Sequence, residues 1–381
     1  MGRLRREMNI LHAILSEELY GSERYCIELA AAQARAGHDV AVLIQHGRSK
    51  CAHAFRREIA ATNDAIRQER TNGNIRLAVI PRATPDFLHR PLARWHLARF
   101  APDIVHTHLN PAARRVGRVA QSRAIPHVAT LHIRYEQREH GGCDGLICST
   151  SWQHAAIPSD FHGDAAVIWP WLPVAVHAAL PRVTPPEIHA LREGWAADGR
   201  TVVFGSIGRL MPEKGMDVLS RAFRSAFPRG DEPVRLVIVG GGPQAEELEH
   251  IGDGDRRITL MSPQPEPAAL YRAFDVYVSA ARFEPFGLTI LEAMDAGAPL
   301  VVTRTHGPSE FLKDARVLWA EPNDEATLAA QLRAAAAGGR ARLDYDLSPF
   351  LRDHAATAIE RFYDKVLAHR RTDKDRRHPP P

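Results

Sequence analysis

Short apolar runs alternate with segments of helical period along nearly the whole chain. MNILHAIL at 8–15 predicts a strand. SERYCIELAAAQARAG at 22–37 predicts a helix with Ser22 as N-cap and Gly37 just past its end. Further strands are expected at DVAVLI, IRLAVI, DIVHTH, HVATLH and GLICST, with helical stretches such as 111–123 between them. The pattern pauses in the Trp/Pro-rich segment 165–185. It restarts with TVVFGSIG, a helix at 214–226, and strands at VRLVIVG, RITLM, DVYVSA, PLVVT and RVLWA. Strands alternating with helical patterns predict parallel sheets with crossover helices, so the fold class is α/β with two doubly wound halves. The expected domains are 1–175 and 176–347. A last helix at 348–369 follows the second sheet and can run back across the first domain, and 370–381 reads as a disordered tail. Two such sheets imply a cleft between them, with ligands beyond the carboxyl ends of the strands.

Composition narrows the class. The 381 residues exceed one ordinary core, and 45% hydrophobic with 25% charged residues is the balance of a soluble globular protein. The most apolar stretch, AAVIWPWLPVAVHAALP, is broken by prolines and His177, so no membrane-spanning helix is expected. The basic start MGRLRREMNILHAIL has no small-residue cleavage site after it, and Met8 reads as the start of the folded region. Cys26, Cys51, Cys143 and Cys148 form no CxxC pair and read as free thiols, which places the chain in the cytoplasm. Charge is uneven. Residues 1–175 hold 22 Lys/Arg against 16 Asp/Glu, and residues 176–362 hold 21 against 26. The basic first half suits an anionic membrane face or an acidic acceptor, or is the solvated surface of an arginine-rich protein. No nucleic-acid-binding motif is visible.

The candidate chemistry lies at strand ends. In ARFEPFGLTILEAMDAGAP, Glu284 falls in the loop after DVYVSA, Gly287 opens a helix, and Glu292 follows eight positions after Glu284. At roughly 100° per residue Glu292 lies within about 40° of Leu288, one turn below it. Paired carboxylates suit the hydroxyls of a ribose and a sugar. In GSIGRLMPEKGMDVL, Gly208, Arg209 and Lys214 surround the expected start of a helix, a place that suits a diphosphate. Gly240 and Gly241 follow a strand but lack the GxGxxG spacing of a nicotinamide-cofactor site, and no P-loop is present. Glu310, in THGPSEFL, is a ligand contact or a helix N-terminal carboxylate. Gly21 and Ser22 sit at the first strand–helix junction, where N–H groups could reach the same phosphate from across the cleft. His132 ends HVATLH where substrates would meet; His106 and His108 end DIVHTH. The histidines show no metal-ligand spacing with acids, and the DGD and DYD pairs follow no apolar strand, so no metal is expected. Taken singly, Glu292 reads equally as a solvated helix residue, and Arg209 and Lys214 as surface cations.

Together and in this order, these pieces resemble the GT-B glycosyltransferases of family 4, over about residues 8–365. The E-x7-E motif is Glu284 to Glu292, and the GR…KG motif is Gly208-Arg209 with Lys214-Gly215. PDIVHTH, Thr130-Leu131-His132 and AEPND match further segments. The resemblance implies two Rossmann-like domains facing a central cleft, the first binding the acceptor and the second a nucleotide-sugar. It implies that Arg209 and Lys214 hold the diphosphate and that Glu292 binds the ribose. Glu284 would hold the donor sugar beside the backbone N–H groups of Phe286, Gly287, Leu288 and Thr289, and His132 would line the junction. Glu284 and His132 are the catalytic candidates. The implied reaction is retaining, without metal or cofactor. It takes a UDP-, GDP- or ADP-linked sugar to a glycan or lipid-linked acceptor in cell-envelope polysaccharide or lipopolysaccharide synthesis, at or near the inner face of the cytoplasmic membrane. The alternatives are a sugar-nucleotide epimerase of the same fold and a non-catalytic nucleotide-sugar-binding protein. The family's usual Gly-Gly before the first helix is Tyr20-Gly21 in this chain and its usual Gly-Gly before Glu310 is His306-Gly307, which bears on acceptor and donor-sugar choice and not on nucleotide binding; its usual Asn-Gly after the seventh strand is replaced in VIWPWLP, an atypical hinge that can carry an aromatic acceptor contact.

Overall fold

The computed structural model describes residues 7–16, 21–46, 50–69, 73–82, 84–252 and 254–377; Tyr20, Asp253 of the DGD pair and 378–381 lie outside them. The chain divides into two compact units, Met1–Trp171 with Phe350–Pro381, and Leu172–Pro349.

Among the described residues the first unit is built on seven strands: β1 (Asn9–Ile14), β2 (Asp39–His46), β3 (Ile75–Pro81), β4 (Ile104–His108), β5 (His127–Leu131), β6 (Gly145–Cys148) and β7 (Asp164–Val167). They pair in parallel in the order β3-β2-β1-β4-β5-β6-β7. Successive side chains alternate between two covered faces. On one, Ile14, Val40, Val42 and Ile44 pack with Cys26, Ile27, Ala30 and Ala34 of the helix Gly21–Arg35. On the other, Leu11, Ala13, Leu43 and Val105 pack with Leu97, Phe100, Val116 and Val119. The three described cysteine side chains, Cys26, Cys143 and Cys148, are buried and unpaired.

Among its described residues the second unit carries six strands: β8 (Val202–Ile207), β9 (Val234–Val239), β10 (Ile258–Met261), β11 (Val276–Ser279), β12 (Leu300–Thr303) and β13 (Leu318–Ala320). Their order is β10-β9-β8-β11-β12-β13, again parallel. One core joins Phe204, Leu236, Ile238, Val276 and Val278 to Leu219, Phe223, Leu328 and Leu332 of covering helices. In each sheet the strand order reverses beside one strand, at β1/β4 and at β8/β11. The crevice for a ligand opens there, outside the carboxyl ends of the strands.

Several local expectations change. The first helix already includes Gly21, so Ser22 is inside it rather than its N-cap, and the Ser22 hydroxyl donates to Glu23 at 3.0 Å. The helix expected from Lys214 starts at Met216. Pro212–Lys214 form a 3-10 turn, and Gly215 breaks the helix by adopting φ +64°. The four-residue edge strand β7 falls at the start of the Trp/Pro-rich segment read as a pause, where a half-exposed DAAV gives little signal. The last helix is Arg352–Arg377, preceded by a 3-10 turn at Ser348–Phe350, so it continues through 370–377 of the expected tail. There Arg370 is tied to Asp144 at 2.6 Å and to the Ala124 carbonyl at 2.8 Å, contacts that composition does not reveal.

The end of the first helix is as the glycine implies. The Gly37 N–H donates to the Ala34 carbonyl and the His38 N–H to the Gln33 carbonyl, each at 3.1 Å, the Schellman pattern, with Gly37 at φ +94°. A Cβ at Gly37 would meet nothing within 4 Å, so a side chain there costs only the left-handed backbone. Gly37→Ala is expected to lower stability by about 1 kcal/mol in chemical denaturation, with the slope unchanged.

Candidate functional site

The loop after β11 and the turn after β8 are laced together by backbone. Gly215 lies so close to β11 that a Cβ would sit 2.0 Å from the Ala280 carbonyl oxygen. The N–H groups of Arg282 and Phe283 both donate to the Glu213 carbonyl, at 2.8 and 3.1 Å. The Arg282 guanidinium donates to both oxygens of Asp217 at 2.7 Å and to the Pro212 carbonyl at 2.6 Å. These contacts set Lys214 against Glu284, Nζ to Oε2 at 2.5 Å, with Glu284 only 7% exposed. The pairing of these two residues with each other is not among the sequence expectations.

The loop is braced from the far side by Gly307. Its N–H donates to the Glu284 carbonyl at 3.1 Å, and a Cβ there would lie 2.4 Å from the Phe286 Cα. Phe286 is buried and stacks on Phe311 at 4.8 Å between centroids. Gly287, at φ +115°, then opens the helix Leu288–Asp295, and no side chain caps that helix start. Leu288 and Thr289 therefore form an uncapped first turn beside Glu284, which favours an anion. One turn on, half-buried Glu292 accepts a hydrogen bond from the Tyr271 hydroxyl at 2.5 Å. Burial, and then the Glu292 charge, push the Tyr271 phenol well above its ordinary value, so it stays the donor. Tyr277 lies beside Tyr271 at 5.6 Å and donates to the Ile207 carbonyl.

The remaining candidates of this unit divide. Arg209 is exposed at the end of β8 and makes no side-chain hydrogen bond or ion pair with a described residue. Glu310 is half-buried in the short helix His306–Phe311. The glycines after β9 answer first to packing. A Cβ at Gly240 would fall 1.9 Å from the Gly208 carbonyl oxygen, whereas one at Gly208 would make an ordinary contact with Met216. Gly241 would press on Pro263 at 3.0 Å. Sequence reasoning passed over Arg282, Asp217, Tyr271 and Tyr277. Arg282 lies in the Glu284 loop itself, outside the E-x7-E motif, and only the tertiary fold brings Asp217, Tyr271 and Tyr277 to the Glu284–Glu292 segment.

In the first unit, His132 follows the end of β5 and is half-buried. Its Nε2 lies 3.2 Å from His108 Nδ1, and His108 Nε2 lies 3.1 Å from His12 Nδ1. The register of the sheet explains the stack: His12 of β1 pairs with His106 of β4, and Ile14 with His108. Burial lowers His12 and His132 to about 4, and His106 and His108 well below the ordinary imidazole value, so these rings are neutral at pH 7. Tyr25 packs edge-on to His132 at 5.2 Å and stacks on Trp171 at 4.2 Å. Cys26 joins His12 and His108 in a trio whose ligand atoms lie within 4.8 Å, a grouping that sequence spacing does not show. Its histidine nitrogens already bond to each other and to Gln33 and His132. Gly21 and Ser22 form the first turn of the helix Gly21–Arg35.

Two parallel sheets with these groups at the strand ends define a GT-B architecture. Residues 20–181 match the family model described as Glycosyltransferase Family 4, and residues 201–337 the one described as Glycosyl transferases group 1. The chain belongs to the family 4 glycosyltransferases of GT-B fold. It is 34% identical over 125 residues to a GDP-mannose-dependent alpha-mannosyltransferase of Corynebacterium glutamicum, 33% of this chain and 29% of that one. It is 28% identical over 246 residues to a D-inositol 3-phosphate glycosyltransferase of Acidothermus cellulolyticus, 56% of this chain and 54% of that one. The matches thus span about half or less of these curated relatives. Anabaena HepE in complex with UDP and glucose superposes with a TM-score of 0.67 at 18% identity, over 98% of this chain and all of that one, a likeness of fold.

Asp217 offers a pH test of the lacing. Burial works against its ionisation, but hydrogen bonds from Arg282 and Arg221 outweigh it and hold the carboxyl at about 2. A depressed carboxylate contributes stability above its unfolded value, about 3.9, and loses it as pH falls towards 2. Asp217→Asn is therefore expected to lower the denaturation free energy clearly at pH 6 and much less at pH 2.5. An equal loss at both pH values would show that the charge is not what ties the loop.

Proposed function

We propose that the chain is a retaining glycosyltransferase that moves a sugar from a nucleoside diphosphate to a glycan or lipid-linked acceptor in cell-envelope polysaccharide or lipopolysaccharide synthesis. The observation that carries this reading is the cluster at the end of β11. One carboxylate is held against a lysine, a second accepts from a buried tyrosine, and an uncapped helix start lies between them. Such a cluster fits a donor with two hydroxyl-bearing ends and an anionic middle. The diphosphate would take the positive side: Arg209, Lys214 and the first turn at Leu288–Thr289. Glu292 would accept from the ribose hydroxyls. Glu284, relieved of Lys214 as the phosphates draw the lysine over, would accept from the sugar. As the glycosidic bond breaks, charge grows on the leaving diphosphate, where two cations and a helix dipole favour it. Positive charge supplied this way makes a divalent ion unnecessary to the scheme. His132 would meet a hydroxyl of the sugar or acceptor, and the N-terminal unit would bind the acceptor.

A second surface supports work at a membrane. The helix Asp86–Phe100 exposes Phe87 at 75%, Trp95 at 56% and Leu88 at 40%, among exposed Arg82, Arg90, Arg94 and Arg99. Arg99 lies over the Trp95 ring at 5.8 Å, and a cavity of about 440 Å³ beside the helix is lined by Arg90, Arg94 and Arg118. Aromatic rings with arginine neighbours suit the headgroup region of an anionic bilayer. Among the described residues no helix is long and apolar enough to cross a membrane, so this contact would be peripheral.

Incubation with UDP-, GDP- and ADP-sugars in EDTA is expected to give turnover with one base. Arg209→Ala should lower kcat/KM by about 10²–10³, the usual loss for one charge-stabilising donor. Turnover that EDTA abolishes would overturn the metal-free scheme, and binding of one donor without transfer or hydrolysis would favour the non-catalytic alternative. Sedimentation with vesicles containing phosphatidylserine is expected to be weakened by Trp95→Ala and by salt. Equal recovery with neutral vesicles would remove the membrane proposal.

A further inference from the structure

Six hydrogen bonds in the N-terminal unit join His132 to the interior in one continuous run. His132 Nε2 meets His108 Nδ1 at 3.2 Å, His108 Nε2 meets His12 Nδ1 at 3.1 Å, and His12 Nε2 meets the Gln33 Oε1 at 2.7 Å. Beyond the amide, Gln33 Nε2 donates to the Tyr363 hydroxyl at 3.4 Å, that hydroxyl meets His106 Nδ1 at 2.5 Å, and His106 Nε2 meets Thr130 Oγ1 at 2.7 Å. Every member between the two ends is fully buried.

The chain has a direction. A neutral imidazole carries one N–H and one lone pair, and only the Gln33 amide has an oxygen that can only accept and a nitrogen that can only donate. With the oxygen toward His12, the His12 proton sits on Nε2 and its Nδ1 accepts. His108 must then donate from Nε2 and accept at Nδ1, and His132 must donate from Nε2. On the other side the amide N–H turns the Tyr363 O–H toward His106, which donates from Nε2 to Thr130. All six bonds point head to tail. The outer nitrogen of His132, Nδ1, is left with a lone pair and makes no hydrogen bond with a described residue. Gln33 is held in place at the end of its helix, its carbonyl accepting from His38 at 3.1 Å, and its amide is seated by Tyr363 of the returning helix Arg352–Arg377. Tyr25 and Trp171 hold the His132 ring from the side.

We propose that Gln33 sets the tautomer of His132 through His12 and His108, so that His132 meets its ligand as a hydrogen-bond acceptor for a hydroxyl. Gln33, His12 and His108 are positioning residues; only His132 touches the ligand. The identity of that ligand, a sugar or acceptor hydroxyl, rests on the glycosyltransferase reading, whereas the tautomer does not.

The test is nitrogen NMR of the full-length protein with ¹⁵N-labelled histidine at pH 7. Neutral Nε2–H rings are expected for His132, His108 and His12, with a nitrogen–nitrogen coupling across the His132–His108 hydrogen bond. Gln33→Glu keeps an accepting oxygen and should keep these signals. Gln33→Leu removes it and should move His132 into a mixture of tautomers while lowering kcat more than it raises KM. A proton on His132 Nδ1 in the parent would overturn the proposal, as would an unchanged His132 in folded Gln33→Leu. So would a metal ion found on the His12 and His108 ring nitrogens and the Cys26 sulfur. An altered tautomer with unchanged kcat would refute the link to the ligand. A parent without transfer to any acceptor would sink the function proposed above and leave the tautomer result standing.

Discussion

Lys214 and Glu284 meet because backbone meets backbone. The 3-10 turn after β8 can approach the end of β11 only where a residue lacks a Cβ, at Gly215, and the Glu213 carbonyl then takes two N–H groups from the Glu284 loop. Each side chain arrives already aimed, and most of the ordering entropy is met by the surrounding fold rather than by the ion pair. The pair also solves an electrostatic problem. A carboxylate 7% exposed is costly without a partner, and Lys214 supplies one. The second brace, Gly307 against Phe286, fixes the loop from the opposite side.

The same logic appears in the N-terminal unit in neutral form. Ion pairs hold the Glu284 loop, whereas uncharged rings, an amide and a phenol hold His132. A chain of neutral imidazoles suits a deep site because no member has to bury charge. The cost is that the orientation of each ring depends on the next. That dependence gives the returning helix a place in the site through Tyr363.

Much of the architecture is legible in the pattern. The thirteen strands among the described residues fall where apolar runs end in turn residues, apart from the four-residue edge β7, whose burial is too slight to leave a period. Gly37 announces its helix end because a left-handed residue needs glycine. Helix starts are less legible. Lys214 looks like a first-turn cation, but Pro212 and Gly215 impose a 3-10 turn before the helix, for a reason that lies at Ala280 in another segment. The motif residues of the candidate site can be picked out by spacing, since Glu284, Arg209 and Lys214 follow strand ends and Glu292 lies in the helix that follows Glu284. Their partners cannot. Tyr271, Asp217, Arg282 and Gln33 carry no local signature, and the hydrogen bonds that give them meaning join residues far apart in the chain.

We propose that Lys214 and Glu284 part when a donor binds, one turning to phosphate and the other to sugar. Calorimetric titration of the free nucleoside diphosphate and of the matching nucleotide-sugar, into the parent and into Glu284→Gln, tests it most directly. Glu284→Gln is expected to bind the free diphosphate as well as the parent or better, because Lys214 is already released, and to lose the added affinity for the sugar-bearing form. Equal weakening of both ligands would contradict it.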